Sequence, residues 1–218
     1  FEVGELGVMS QVTTSWTPLD SGVMRNHQRA YELLGNDLMK IFAFVEPSEA
    51  NKDCIGHEIY QLLLRVCTEF ESVCKLAKIR LGHTDNPEKW NIKSYSKLND
   101  VTVGRGVLSD YQFFYTELNS QIGIQPLKSF INSNIADVSI KPEFYDAYNA
   151  VKHDRKKNFQ RANLWSLLHA YAGLTAAMYW QGIETNLFGW VSPYGSINVK
   201  FGRFECAVQS GNTIYGRF

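Results

Sequence analysis

The sequence has no excess charge of either sign: 22 lysines and arginines stand against 22 aspartates and glutamates, a formal net charge of zero. That balance argues against a protein that coats nucleic acid through a global basic field, and leaves room for a local basic site. Cysteine is scarce and unpaired. Cys54, Cys67, Cys74 and Cys206 form no CxxC motif and no Cys/His spacing of a zinc site. Cys67 and Cys74 lie on one predicted helix, roughly 10 Å apart along its axis at about 1.5 Å per residue, beyond the reach of a disulfide. Reduced, buried thiols in a cytoplasmic protein are the expectation. The chain starts at Phe1 rather than Met and shows no charged region followed by an apolar core at its N-terminus, so no signal peptide is expected. No HExxH, no serine nucleophile elbow and no complete glycine phosphate loop occurs. No metal-ligand set is visible, and no cofactor is expected. A long charged-residue-free run, Ala162 to Gln181, is nearly long enough to span a bilayer. Its Asn163, Ser166, His169, Gly173 and Thr175 would be costly in lipid, so a buried central helix is expected and no membrane partner.

What the chain does have is an ordinary globular balance, 44% hydrophobic and 20% charged residues, at a length suited to one domain with a small appendage. Residues 1–22 read as an extended N-terminal segment, residues 23–182 as a helical domain and residues 183–218 as a β element. Val23 to Leu34 forms a predicted short helix ending at Gly35, and Asp37 to Val45 is an apolar run of ambiguous state. From His57 to Leu81 the apolar residues Ile59, Leu62, Leu63, Val66, Cys67, Phe70, Val73, Cys74 and Ala77 repeat at helical spacing, with Gly82 as the stop. Glu71 and Lys75 stand at i, i+4 on this helix, whereas Glu69 and Glu71 do not face each other. A helical turn around Ser94 to Leu98, a bend at Gly104–Gly106, a strand within Tyr111 to Leu118 and a short helix over Pro126 to Asn132 follow. Pro142 suits the first position of a helix to about His153, and a second helix is predicted from about Lys156 to Gln181, stopped by Gly182. Ile197 to Phe201 and Phe204 to Val208 alternate like hairpin strands about Gly202-Arg203, with a turn signal at Ser210-Gly211-Asn212.

The chemistry concentrates in Tyr145-Asp-Ala-Tyr-Asn-Ala-Val-Lys-His-Asp-Arg155. Asp146, Asn149 and His153 fall at i, i+3 and i+7 and project the same way from a helix. An acid, an amide and an imidazole so aligned can bind an anion or move a proton, and equally suit a solvated surface. Around them Lys152, Arg155, Lys156, Lys157 and Arg161 stand against Asp154 alone. At the start of the predicted long helix they would adjoin unpaired backbone N–H groups, a setting that suits a phosphate or a nucleic-acid backbone. The alternative is a solvated interhelix corner. His153 can act as general acid or base in metal-free RNA cleavage, with Lys152 or Arg155 stabilising the phosphorane charge. His57 and His83 sit at helix ends, and His169 suits a hydrogen-bonded core position.

The helix from Glu58 to Lys75 resembles the first long helix of HEPN-like domains, and Tyr148-Asn-Ala-Val-Lys-His153 resembles their motif-bearing end. Together with Phe44-Val-Glu-Pro47 and the Tyr145–Arg155 segment, the chain also looks like a group of uncharacterised bacterial proteins over roughly residues 30–182. The resemblance implies a mainly α HEPN-like helical bundle that forms a homodimer, with RNA as partner and metal-independent endoribonuclease activity of the toxin or defence kind. The family's site uses an arginine, a polar residue, three variable residues and a histidine. Asn149 and His153 match the last two. The arginine position is Tyr148, which cannot supply a permanent guanidinium charge. The resemblance thus implies His153 as acid or base, Asn149 as its positioning partner, and Lys152 with Arg155 as the charge. Asp146, Tyr148, Lys156, Lys157 and Arg161 complete the binding surface. The reading from a different class is a non-enzymatic interaction module, with the helix pair forming a homodimer or partner interface.

Overall fold

The computed structural model describes residues 16–101, 106–115, 123–132, 140–183, 188–191, 196–201 and 204–209. The described chain is mainly helical. Helix α1, Ser21–Phe42, opens on Asp20, whose carboxylate accepts from the N–H groups of Gly22 at 2.8 Å and Val23 at 3.1 Å. The stop expected at Gly35 does not occur. Gly35 is buried within the helix, which continues through the ambiguous Asp37 run. An internal glycine costs a helix about 1 kcal/mol. Burying Leu38, Ile41 and Phe42 on the same stripe, at about 1.5–3 kcal/mol each, outweighs that cost.

Helix α2, His57–Arg80, buries all nine residues of the predicted stripe. Gly82 ends it with φ 81°, donating to the Ile79 carbonyl at 2.9 Å while His83 donates to Lys78 at 3.1 Å. Cys67 and Cys74 are free thiols inside this core, and burial pushes both well above the ordinary thiol range, so they stay protonated. The turn expected near Ser94 becomes α3, Ile92–Ser96, followed by a 3-10 turn at Lys97–Asp100, and a second 3-10 turn covers Lys128–Asn132.

Helix α4 is Glu143–His153, with Pro142 one position earlier than predicted, as its N-cap. The long helix expected from Lys156 is broken into three pieces: α5, Arg155–Asn158, a 3-10 turn at Phe159–Arg161, and α6, Leu164–Trp180. The breaks have identifiable causes. Asp154 leaves helical geometry (φ −144°, ψ 83°) and its side chain caps the Lys157 N–H at 3.2 Å. Asn158 Nδ2 donates to the carbonyls of Ala150 at 3.2 Å and Asp154 at 2.9 Å, which holds the corner closed. Asn163 then restarts the helix by accepting from the Ser166 N–H at 2.9 Å.

Helix α6 is buried on nearly every side, with 14 of its 17 residues in the core, and it packs chiefly along α2. A Cβ on Gly173 would lie 3.0 Å from Phe144 Cζ, so the glycine is what lets α4 approach α6. Phe144 in turn stands edge-on to Phe70 of α2, with ring centroids 5.5 Å apart. At the far end of α2, Arg80 donates to the carbonyls of Thr17 at 3.2 Å and Gln181 at 2.8 Å and lies over the Trp16 ring. Trp16 packs edge-on against Trp180.

Five short strands are paired antiparallel in the order β2-β1-β5-β4-β3, where β1 is Gln112–Tyr115, β2 Gly123–Ile124, β3 Phe188–Val191, β4 Ser196–Phe201 and β5 Phe204–Gln209. The expected N-terminal extended segment falls largely on residues 1–15, outside the described residues, as do the Gly104-Arg105 bend, Gly202-Arg203 and the Ser210 turn. Among the described residues, no helix is long and apolar enough to cross a membrane.

Candidate functional site

Phe144, Tyr145, Ala147, Tyr148 and Val151 face α4 inward. Helical geometry then turns Asp146, Asn149 and His153 outward together, as their spacing predicts. Their environments differ. Asp146 Oδ2 accepts from Arg161 Nη2 at 2.6 Å, a pair closed by the 3-10 turn that carries Arg161 back. Asn149 is half-buried. His153, the last residue of α4, is exposed. Neither Asn149 nor His153 has a side-chain hydrogen bond or ion pair among the described residues.

The basic cluster divides in the same way. Lys157 lies 3.4 Å from Asp154, and Arg161 is held by Asp146, so two of the five cations are paired. Lys152, Arg155 and Lys156 remain exposed beside His153. Arg155 sits over the ring of Tyr60 on the first turn of α2, 5.8 Å from its centroid. Phe159 packs against both Tyr60, at 5.8 Å, and His57, at 5.2 Å. An exposed basic corner is therefore interleaved with aromatic rings.

The expected use of free backbone N–H groups at the long helix does not hold. The first four N–H groups of α6 are all bonded: Leu164 to the Cys54 carbonyl at 2.9 Å, Trp165 to Lys52 at 2.9 Å, Ser166 to the Asn163 side chain at 2.9 Å and Leu167 to the Asn163 carbonyl at 3.1 Å. The basic residues instead precede this helix, on the single turn of α5 and the 3-10 segment. Any attraction for an anion comes from their side chains.

Tyr148 is 2% exposed. Its hydroxyl accepts from Lys152 Nζ at 3.0 Å, and the Lys152 ammonium lies over its ring. That hydrogen bond raises the Lys152 pKa above its ordinary value, with a smaller pull from Glu71. Beside it Tyr145 donates to Glu71 Oε1 at 2.5 Å, and burial first, then Glu71, pushes its phenol well above the usual range. Glu71 thus pairs with α4 across the interior, the partner that local spacing had given to Lys75. Glu69 takes a different partner, His27 Nδ1 at 2.5 Å. Neither long-range pair has a local sequence signal.

Among the described residues, two clefts bear on the site. One, of about 810 Å³, lies where the starts of α4 and α6 meet and is lined by Lys93, Lys141, Asp146, Arg161, Trp165 and Ser166 among others. The other, of about 460 Å³, is an apolar groove beside the α1–α2 turn that includes Ile41, Phe44, Val45, Cys54 and Ile55. Asn149, His153 and Arg155 line neither. His169 does not take up the hydrogen-bonded core role expected of it: its Nε2 is enclosed without a partner among the described residues, its ring packs on Trp165, and burial lowers its pKa to about 4. Among the described residues no three His, Cys, Asp or Glu side chains are grouped to hold a metal ion. The chain matches no family model, no curated protein and no solved structure.

Proposed function

We propose that this chain is a HEPN-like helical protein, of the defence or toxin kind and cytoplasmic, that binds single-stranded RNA at the corner where α4, α5 and the start of α2 meet. The observation that supports it is the mixture of exposed cations and rings: Lys152, Arg155 and Lys156 beside His153, with Tyr60, Phe159 and His57 packed among them. Cations attract phosphates by releasing counterions, and aromatic faces accept unstacked bases. Binding fits this geometry better than cleavage. His153 has no second acid or base in contact among the described residues, and the place of the motif arginine is held by buried Tyr148.

The test is fluorescence anisotropy with a labelled single-stranded RNA. Three phosphate contacts on a single strand give a log–log salt slope of about −2.1 at roughly 0.7 per contact, so raising salt from about 50 to about 200 mM weakens binding about 18-fold. Replacing Arg155 and Lys156 together by alanine removes two contacts and reduces that loss to about twofold to threefold. No binding, or binding indifferent to both salt and the double substitution, refutes the assignment. The same RNA incubated with EDTA is expected to stay intact; EDTA-resistant cleavage lost in His153→Ala would establish a metal-independent endoribonuclease in its place.

A separate observation favours a second reading, a homodimerisation or protein-interaction module. Phe44 is 91% exposed and Ile55 42% exposed, side by side at the apolar groove. Sedimentation of wild type and Phe44→Ser tests it: a concentration-dependent dimer abolished by the substitution supports this reading, and a monomer in both cases removes the homodimer.

A further inference from the structure

The cleft between the starts of α4 and α6 belongs to no part of the basic corner's chemistry except through one residue, Arg161. We infer that it holds a single nucleobase and its phosphate from the RNA strand bound at that corner, with Trp165 as the stacking surface. The inference rests on the RNA-binding reading and adds an open cleft in which one nucleotide lies against the protein.

Size comes first. At about 810 Å³ the cleft falls in the range of small-ligand sites and has room for a nucleotide. Its walls carry the three kinds of group a nucleotide needs. Trp165 is partly exposed, and its place is fixed twice: its backbone N–H donates to the Lys52 carbonyl at 2.9 Å, and its ring packs against His169 with centroids 4.6 Å apart. A ring already held by its neighbours gives up little further freedom when a base stacks on it. Gln160 and Ser166 offer donors and acceptors to a base edge. Lys93 and Lys141 are exposed cations with no ion pair among the described residues, and Glu143 is the one lining acid left unpaired once Arg161 has engaged Asp146. The excess of one positive charge complements one phosphodiester. The approach is also defined, because the run from Lys152 to Arg161 leads from the exposed corner to the cleft wall in a single turn of α5 and one 3-10 turn.

The experiment combines substitutions with an abasic scan. Anisotropy is measured for a short labelled oligouridylate, and for copies carrying one abasic position each, with wild type, Trp165→Ala, Trp165→Phe and the double variant Lys93→Ala/Lys141→Ala. Trp165→Ala is expected to weaken binding roughly tenfold without changing the salt slope, since stacking releases no counterions. Trp165→Phe, which keeps a ring and guards against loss of folding, retains most of the affinity. The lysine double variant weakens binding and lowers the salt slope. One abasic position costs wild type about as much as Trp165→Ala does, and costs Trp165→Ala nothing more. Wild-type binding to RNA that none of these changes alters overturns the cleft and leaves the corner standing. Absence of RNA binding by wild type overturns the corner and the cleft with it. Uridine monophosphate bound as tightly as the oligomer, with no position sensitive to base removal, overturns the placement of a strand base there and makes the cleft a free-nucleotide site.

Discussion

His169 gives the sharpest test of the interior. It sits on an uncharged helix with Nε2 enclosed and without a partner among the described residues, and burial alone lowers its pKa from 6.5 to about 4. In the unfolded chain the imidazole takes up a proton near its ordinary value of about 6.5. Between that pH and about 4, the unfolded chain therefore binds a proton that the folded chain refuses. Stability must fall as pH falls through this window, and stop falling on this account below about 4. At about 1.4 kcal/mol per pH unit, the whole window is worth about 3 kcal/mol, a large part of a typical total of about 5–15 kcal/mol. The assay is urea unfolding of wild type and His169→Gln at a series of pH values from 7 to 4. Carboxylates shared by both proteins destabilise both in acid and cancel in the difference. The variant carries its own packing cost at pH 7, and its disadvantage should shrink by about 3 kcal/mol, or reverse, as the pH reaches 4. Parallel curves for the two proteins would refute the reasoning.

Three further perturbations test the packing and the corner. Gly173→Ala adds a Cβ at 3.0 Å from a buried ring, and despite about 1 kcal/mol of improved helix propensity it should lower stability by about 1–2 kcal/mol net, read as a drop in thermal midpoint; a rise would show that α4 and α6 separate freely. Tyr145→Phe leaves Glu71 without its hydrogen bond in the α2–α4 seam and should cost about 1–3 kcal/mol in urea unfolding, whereas Tyr145→Leu should add a cavity cost to that; equal stability of wild type and Tyr145→Phe would mean water replaces the phenol. Asp154→Ala removes the cap that starts α5 and should cost about 1 kcal/mol, with faster amide exchange confined to residues 155–161; exchange unchanged there would show that Asn158 alone holds the corner.

Helix α2 could be read residue by residue because its nine apolar positions and its terminal glycine are local signals that the fold does not contradict. Gly35 misled for the opposite reason: a local stop signal lies on a stripe whose burial is set by other helices. The run from Lys156 to Gln181 reads as one helix because its apolar stripe, strong from Leu164 onward, draws the polar residues before it into the same element. The residues that break it, Asn158 and Asn163, are capping types hidden in that polar stretch, and weighting them as start signals would have found the boundary of α6. At the site, the shared face of Asp146, Asn149 and His153 follows from helical period alone. That Asp146 is already held by Arg161 does not, since the two are 15 residues apart and meet only after the chain leaves α4 at Asp154 and passes through α5 and the 3-10 turn. Glu71 and Tyr145 are 74 residues apart, a separation at which no pattern within a helix can announce a partner.

The burial of α6 on nearly all sides also has a temporal side. It is the last of the described helices to be made, and it is the chief partner of α2, which also packs against α1 and α4. During synthesis the face of α2 that α6 covers has no cover until Leu164–Trp180 has cleared the ribosome, so the packing along α2 is completed only then. A chain ending before that segment would leave the apolar stripe of α2 open along the side that α6 fills, so completion of this core waits on one uncharged helix.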